Sequence, residues 1–330
     1  MPAVERIPLG YNNVYVLEED GQTLLVDTGP DFRGAREAIA ACLGARRPDI
    51  VVATHGHSDH AGLGAWWQAC GVRVALGSAD VRLARGPHFS QPGEFQSFVG
   101  YVEQSGAPEH TRHDMVSGLE TRRAAVRRAA DHAGYPAARS ADRYPTGLRF
   151  EPFEPRTALT GDTTLPAGAT VLMCPGHTPG NLVLALESEG WLFSGDQLLP
   201  DITPTPGIQF VPDASGGWRR FPSLPAFTAS LRHLRRMHLE RCYPGHGEPF
   251  EGVAAAIDAN IAQIEQRTER VFEELREAGA VSVHDLAERL YPRALRRRWW
   301  QIVATIQGHL DLLAAESRAH QEGLLWTASG

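Results

Sequence analysis

Lysine is missing from the chain: all 32 basic side chains are arginine. That removes Schiff-base catalysis and any P-loop lysine from consideration. The bias, alongside abundant alanine, fits a GC-rich genome better than a mechanism. Cysteine is scarce. Cys42, Cys70, Cys174 and Cys242 stand far apart with no C-x-x-C spacing, which suits buried thiols in a reducing compartment better than a disulfide frame or a structural zinc site. No apolar run approaches the length of a membrane span. The first ten residues, MPAVERIPLG, contain neither a basic nor an apolar leader segment. A cytoplasmic setting without membrane contact is therefore expected. Positive charge is also in deficit, with a formal net charge of −7, so the whole chain offers no basic footprint for nucleic acid.

What remains is an alternation of strand and helix signals. Residues 13–18 and 22–27 are rich in Val, Leu and Tyr around the turn signal Asp20-Gly21. Helical spacing follows over 34–46, a strand over 50–54, a helix over 61–69 and a strand over 72–76. Strand signals return at 169–174, 181–187, 191–194 and 241–243, with a Pro-rich loop over 199–212 and a helix over 224–238. This order predicts an α/β architecture. Residues 86–156 break the pattern and read as a helical insertion, with helices over 95–104 and 109–132. The tail offers helices over 253–278, 283–290 and 299–316 and then a hairpin, the outline of a winged helix. The division expected is a catalytic domain over 1–255 and a long helix plus winged-helix-like domain over 256–330.

Seven side chains fall where strands should end. His55, His57, Asp59 and His60 follow the strand over 50–54. His177, Asp196 and His246 each follow a later strand, beside glycine. Strand ends share a sheet edge, where loops on a rigid scaffold carry function. Imidazole and carboxylate are ligands for zinc and harder first-row metals, and seven exceed the needs of one tetrahedral ion. The count points to two metals. Isolated histidines elsewhere, such as His110 or His320, read as polar surface.

These motifs resemble the metallo-β-lactamase superfamily. The resemblance lies in His55-x-His57-x-Asp59-His60, the later His177, Asp196 and His246, and their contexts Asp27-Thr28-Gly29, Pro175-Gly176-His177, Ser194-Gly195-Asp196 and Pro244-Gly245-His246-Gly247. It implies an αβ/βα sandwich with two metals at one edge, most simply two Zn2+, with Fe or Mn as alternatives. By analogy, His55, His57 and His177 hold one ion, and Asp59, His60 and His246 the other. Asp196 bridges the two, and Asp27 supports the ligand loop from behind. Asp196 argues against β-lactam hydrolysis as the main role, and His57 against the flavodiiron branch. The helical insertion and the tail resemble the branch of lactamase-like hydrolases with a C-terminal winged helix, which includes glyoxalase-II-like thioesterases and an endoribonuclease. Gln197 departs from that branch, in which many members have histidine.

The implied chemistry is attack by a metal-bridging hydroxide on a carbonyl or phosphoryl group, with Asp59 orienting the water or accepting its proton. No dedicated general acid is recognisable, which favours thioesters and activated esters, whose leaving groups need little protonation. A small acyl thioester, ester or lactone is thus the expected substrate. Phe89, Phe95, Phe98, Tyr101 and Met115 of the insertion are candidates for an acyl pocket beneath a lid, or equally for residues that pin the insertion down. Alternatives are an endoribonuclease, a mononuclear iron persulfide dioxygenase and a non-catalytic winged-helix regulator. Residues 261–330 carry nine Arg against ten Asp plus Glu, which favours a packing or dimerisation appendage over a nucleic-acid reader despite Arg296-Arg297-Arg298.

Overall fold

Alternating apolar side chains give the first strands two greasy faces, so the sheet they form must be covered on both sides. The computed structural model describes residues 2–86, 89, 91–130, 144–145, 147–204 and 206–329, with residues 122–130 as backbone only. The expected end of the helix at His132, and half of the insertion beyond it, lie outside the described residues. One sheet runs in chain order through β1 (Ala3–Leu9), β2 (Asn12–Glu19), β3 (Gln22–Val26), β4 (Ile50–Val52), β5 (Arg73–Gly77) and β6 (Thr157–Leu159). From β3 to β6 its strands are parallel. Three helices break into the connections after β3 and β4: α1 (Ala35–Leu43), α2 (Ser58–Ala61) and α3 (Gly64–Ala69). The sequence pattern suggests one helix over 61–69, but the chain turns between α2 and α3 instead. At Gly62 a Cβ would lie 2.3 Å from the carbonyl oxygen of Ser58, a gap only glycine can occupy.

Short helix α4 (Val81–Ala84) leads into α5 (Pro92–Gln104) and α6 (Glu109–Ala130) of the insertion. The second sheet takes β7 (Thr163–Thr164), β8 (Thr170–Met173), β9 (Leu182–Leu186) and β10 (Trp191–Gly195). A hairpin of β11 (Gln209–Pro212) and β12 (Trp218–Phe221) and the helix α7 (Ser223–Leu234) follow, before β13 (Arg241–Pro244) and β14 (Phe250–Glu251) complete that sheet. Its order is β14-β13-β10-β9-β8-β7. The hairpin corrects the expectation of a plain loop over 199–212. Prolines mask its pattern, but Gln209 to Pro212 still pair with Phe221 to Trp218.

Three cores show how the layers stack. Val14, Val16, Leu25, Val51 and Val74 point outward to Ile39, Leu43 and Trp67. Their alternates Tyr15, Leu17, Leu24, Val26 and Val52 meet Val171, Leu182, Leu184 and Phe193 between the sheets. On the far side, Leu172, Val183, Leu192 and Cys242 pack on Phe227 and Leu231 of α7 and on Ile257 and Ile264. The result is the helix–sheet–sheet–helix sandwich that the resemblance implied.

The tail comprises α8 (Val253–Ala278), β15 (Val281–Ser282), α9 (Val283–Leu290), α10 (Pro292–Ala315), β16 (Ala319–Glu322) and β17 (Leu325–Ala328). Its strands pair in the order β15-β17-β16. Helix α9 opens on a serine cap: the Ser282 hydroxyl accepts the Asp285 N–H at 3.1 Å. Helix α10 starts at Pro292, seven residues before the expected 299, and departs from helical geometry at Arg298, just before that point. The tail shares its apolar residues with the rest. Leu286, Trp299, Val303 and Leu310 join Phe95, Phe98 and Tyr101 of α5 in a single core. Among the described residues, no helix is long and apolar enough to cross a membrane.

Cysteine placement differs in part from the expectation. Cys174 and Cys242 are buried, and burial pushes both thiols up to about 12. Cys42 is half-buried and Cys70 is exposed, at the surface end of α3.

Candidate metal centre

The ligand loops leave β4, β8, β10 and β13 at one edge of the sandwich, and the seven predicted side chains meet there. His55 Nε2 lies 2.9 Å from His57 Nδ1, which is 3.1 Å from His177 Nε2. A second group forms from Asp59, His60 and His246, and Asp196 joins His55 and His60 between them. Asp196 turns one oxygen to each side. Its Oδ2 is 3.4 Å from His177 Nε2, and its Oδ1 is 3.4 Å from His60 Nε2 and 3.3 Å from His246 Nε2.

Tautomers follow from what each far ring nitrogen touches. His246 Nδ1 is 3.0 Å from the Tyr11 carbonyl oxygen, which can only accept, so the proton sits on Nδ1 and Nε2 keeps its lone pair. His60 Nδ1 is fixed likewise by Asp27 Oδ2 at 2.7 Å. The Thr54 hydroxyl donates to Asp27 Oδ1 at 2.8 Å, so its oxygen is left to accept from His55 Nδ1 at 3.2 Å. Asp27 itself sits at φ 65, a conformation that L-residues other than Asn and Asp seldom adopt. It takes the Thr54 N–H at 2.7 Å as well, so its carboxylate is bonded at both ends of the Thr54–His60 segment.

Electrostatics agree with a cation-binding role. Burial, then the neighbouring His60, His57 and His177, holds His55 well below the ordinary imidazole range. Burial lowers His177 too. For His60 burial also opposes charge, but Asp196, Asp27 and Asp59 outweigh it and raise the ring well above its usual value. Burial works against the Asp196 carboxylate, while His60, His246 and His177 together hold it well below the carboxylate range. Even so, Asp196 Oδ1 is buried without a hydrogen-bond partner. His55 Nε2, His57 Nδ1 and His177 Nε2 likewise converge on one another, at 2.9 and 3.1 Å. A divalent cation in each triad would satisfy both, so the donor set fits two metals. Gly245 leaves the room: a Cβ there would stand 2.6 Å from His60 Cε1 and 3.0 Å from Asp196 Oδ1.

Residues 7–246 match the family model described as the metallo-beta-lactamase superfamily. The chain belongs to the metallo-beta-lactamase superfamily. It is 28% identical over 311 residues to the probable metallo-hydrolase YqjP of Bacillus subtilis, an alignment spanning 92% of this chain and 88% of that one. The crystal structure of metallo-beta-lactamase family protein TTHA1429 from Thermus thermophilus superposes with a TM-score of 0.70 at 26% identity, covering 99% of this chain and 98% of that one. Over a shorter stretch, 34% of this chain and 29% of the other, it is 28% identical to thioesterase pkgB of Emericella nidulans. Superfamily membership makes it a metal-binding hydrolase.

Several residues around the centre were not legible as functional. Asn12 brings its amide nitrogen to 3.2 Å from His60 Nε2, and its oxygen accepts from the Tyr144 hydroxyl of the insertion. Tyr11 stacks on His246 at 4.2 Å between ring centroids. Gln209 of β11 donates to the His177 carbonyl at 2.7 Å. None carries a motif, and only folding brings them near the ligands. Gln197 is fully buried, with its oxygen 3.2 Å from Asn181 Nδ2 and its nitrogen 3.4 Å from the Phe227 carbonyl. It braces the loop after β10. The candidate pocket residues gather elsewhere: Phe89, Phe98 and Tyr101 make ring contacts with Phe210 and Trp300. Phe95 and the half-buried Met115 belong to that same core. Its link to the metal centre runs through β11, where Phe210 follows Gln209.

Proposed function

We propose that the chain is a two-ion hydrolase of small acyl thioesters, with esters and lactones as related substrates. The observation that carries the two-ion reading is Asp196, whose two oxygens face separate ligand triads at 3.3–3.4 Å. Bound divalent cations would supply Lewis acidity, polarising the substrate carbonyl and lowering the pKa of a water. Asp59 is the ligand best suited to handle that water's proton. Its side chain is 27% exposed, against 0% for His60, 8% for His246, 12% for Asp196 and 14% for His177, and its Oδ2 stands 3.9 and 3.7 Å from His60 and His246. Attack forms the C–O bond and breaks the C–S bond, and the thiolate leaves without needing a proton from the enzyme. The thioesterase similarity over a third of the chain supports the same choice.

The core around Phe89, Phe98 and Tyr101 gives the insertion a position from which to shape acyl selectivity. Phe89→Ala should then change kcat/KM unequally between short and long acyl thioesters while bound metal stays constant. Equal small effects on every substrate would assign these rings to packing alone. The ribonuclease reading has one observation in its favour, the exposed Arg293, Arg296, Arg297 and Arg298 on α10. A panel of acyl thioesters, lactones and single-stranded RNA, run with metal-reconstituted protein, separates the two. Thioester hydrolysis that a chelator abolishes and zinc restores is expected. RNA cleavage without thioester hydrolysis would overturn the proposal.

A further inference from the structure

Asp80 carries no recognisable motif, yet it occupies the junction between the two sheets at the metal edge. It closes the short turn after β5 and is completely buried. Three donors converge on its carboxylate. Oδ2 accepts the Gly56 N–H at 2.9 Å and the Thr178 hydroxyl at 2.5 Å, and Oδ1 accepts the Gly180 N–H at 2.8 Å. Gly56 lies between His55 and His57, and Thr178 follows His177. A single carboxylate therefore ties together the two loops that carry the whole first triad, one from each sheet. The backbone packs to match: a Cβ on Gly180 would stand 2.5 Å from the Asp80 nitrogen, and one on Gly77 would stand 1.9 Å from the Gly180 oxygen.

We propose that Asp80 is the positioning residue for the ion held by His55, His57 and His177. It touches no ligand ring. It sets the separation of the two loops, so the three nitrogens converge before an ion arrives and less ordering is left for binding to supply. Asp27 orients single rings instead, His60 directly at Nδ1 and His55 through the Thr54 hydroxyl. The arrangement explains why an ionisable side chain is kept fully buried there: three donors need an acceptor-only group. Asparagine would set an N–H against at least one of them. The proposal rests on the two-ion reading only in expecting one ion to be affected and the other spared.

The test is a Co(II) titration of the full-length protein against a competing chelator, followed by absorption, with circular dichroism as the check on folding. Two backgrounds isolate the ions: His246→Ala disables the second triad and His177→Ala the first. In the His246→Ala background, Asp80→Asn should weaken Co(II) binding about 10–100-fold, the usual cost of losing an outer support. In the His177→Ala background it should leave the constant unchanged within about twofold. Should Asp80→Asn fail to fold, Thr178→Val removes just the hydroxyl bond and should give a several-fold loss in the His246→Ala background only. Equal losses in both backgrounds would make Asp80 an ordinary buried brace, and no loss in His246→Ala would overturn the proposal outright. If the wild-type chain saturates at one ion, the two-ion reading falls. Asp80 is then judged by that ion's constant, which must weaken in Asp80→Asn.

Discussion

His55 is suited to be a ligand by what stands behind it. Asp27 takes the Thr54 hydroxyl, Thr54 takes the His55 Nδ1 proton, and the Nε2 lone pair is left facing His57. Each link is an ordinary hydrogen bond, and together they fix a tautomer that a free imidazole would choose only part of the time. The same reasoning gives different expectations for two aspartates. Asp196→Ala removes oxygens from both triads at once, so turnover and metal retention should be lost together while the strand cores keep the fold. Asp59→Asn keeps the size and one ligand oxygen but loses the proton acceptor, so kcat should fall about 10²–10⁴-fold. Near-normal turnover of a poor-leaving-group ester by Asp59→Asn, measured beside its metal content, would remove Asp59 from proton handling.

Elements were legible where periodicity was clean. The strand at Gln22–Val26 and the helices at Val253–Ala278 and Val283–Leu290 fall where the sequence pattern puts them. The β11–β12 hairpin was hidden by prolines, and β1 by the adjacent charges Glu5 and Arg6, which interrupt its apolar alternation. The seven candidate ligands could be read because they follow strands, four of them in one cluster and His177, Asp196 and His246 each beside a glycine. Asn12, Asp80 and Gln209 could not, because their roles depend on distances between elements far apart in sequence. His309 is a similar case. Its spacing suggests polar surface, but it is buried between α8 and α10, with Nδ1 2.8 Å from the Thr268 hydroxyl oxygen. Burial lowers it from 6.5 to about 3. A folded-state value below the unfolded one means that the unfolded chain binds more protons. The stabilisation is therefore complete above pH 6.5 and drains away as pH falls toward 3. His309→Gln should flatten the fall of Tm across that window relative to wild type. Parallel Tm profiles would mean that the ring titrates normally.

At the scale of the molecule, the design is a rigid edge between two sheets. The inter-sheet core holds the β3, β4, β9 and β10 ends in fixed relation, and Asp27 and Asp80 transmit that relation to the ligand loops. The insertion and tail share a core that reaches the edge through β11, so changes in either should act on selectivity before they act on metal binding. The proposed chemistry requires two ions per chain. Elemental analysis of protein stripped with chelator, reconstituted with excess zinc and desalted tests this directly. Two equivalents of zinc per chain, with activity that follows the second equivalent, is the predicted result. Saturation at a single ion, with activity restored by iron alone, would contradict it.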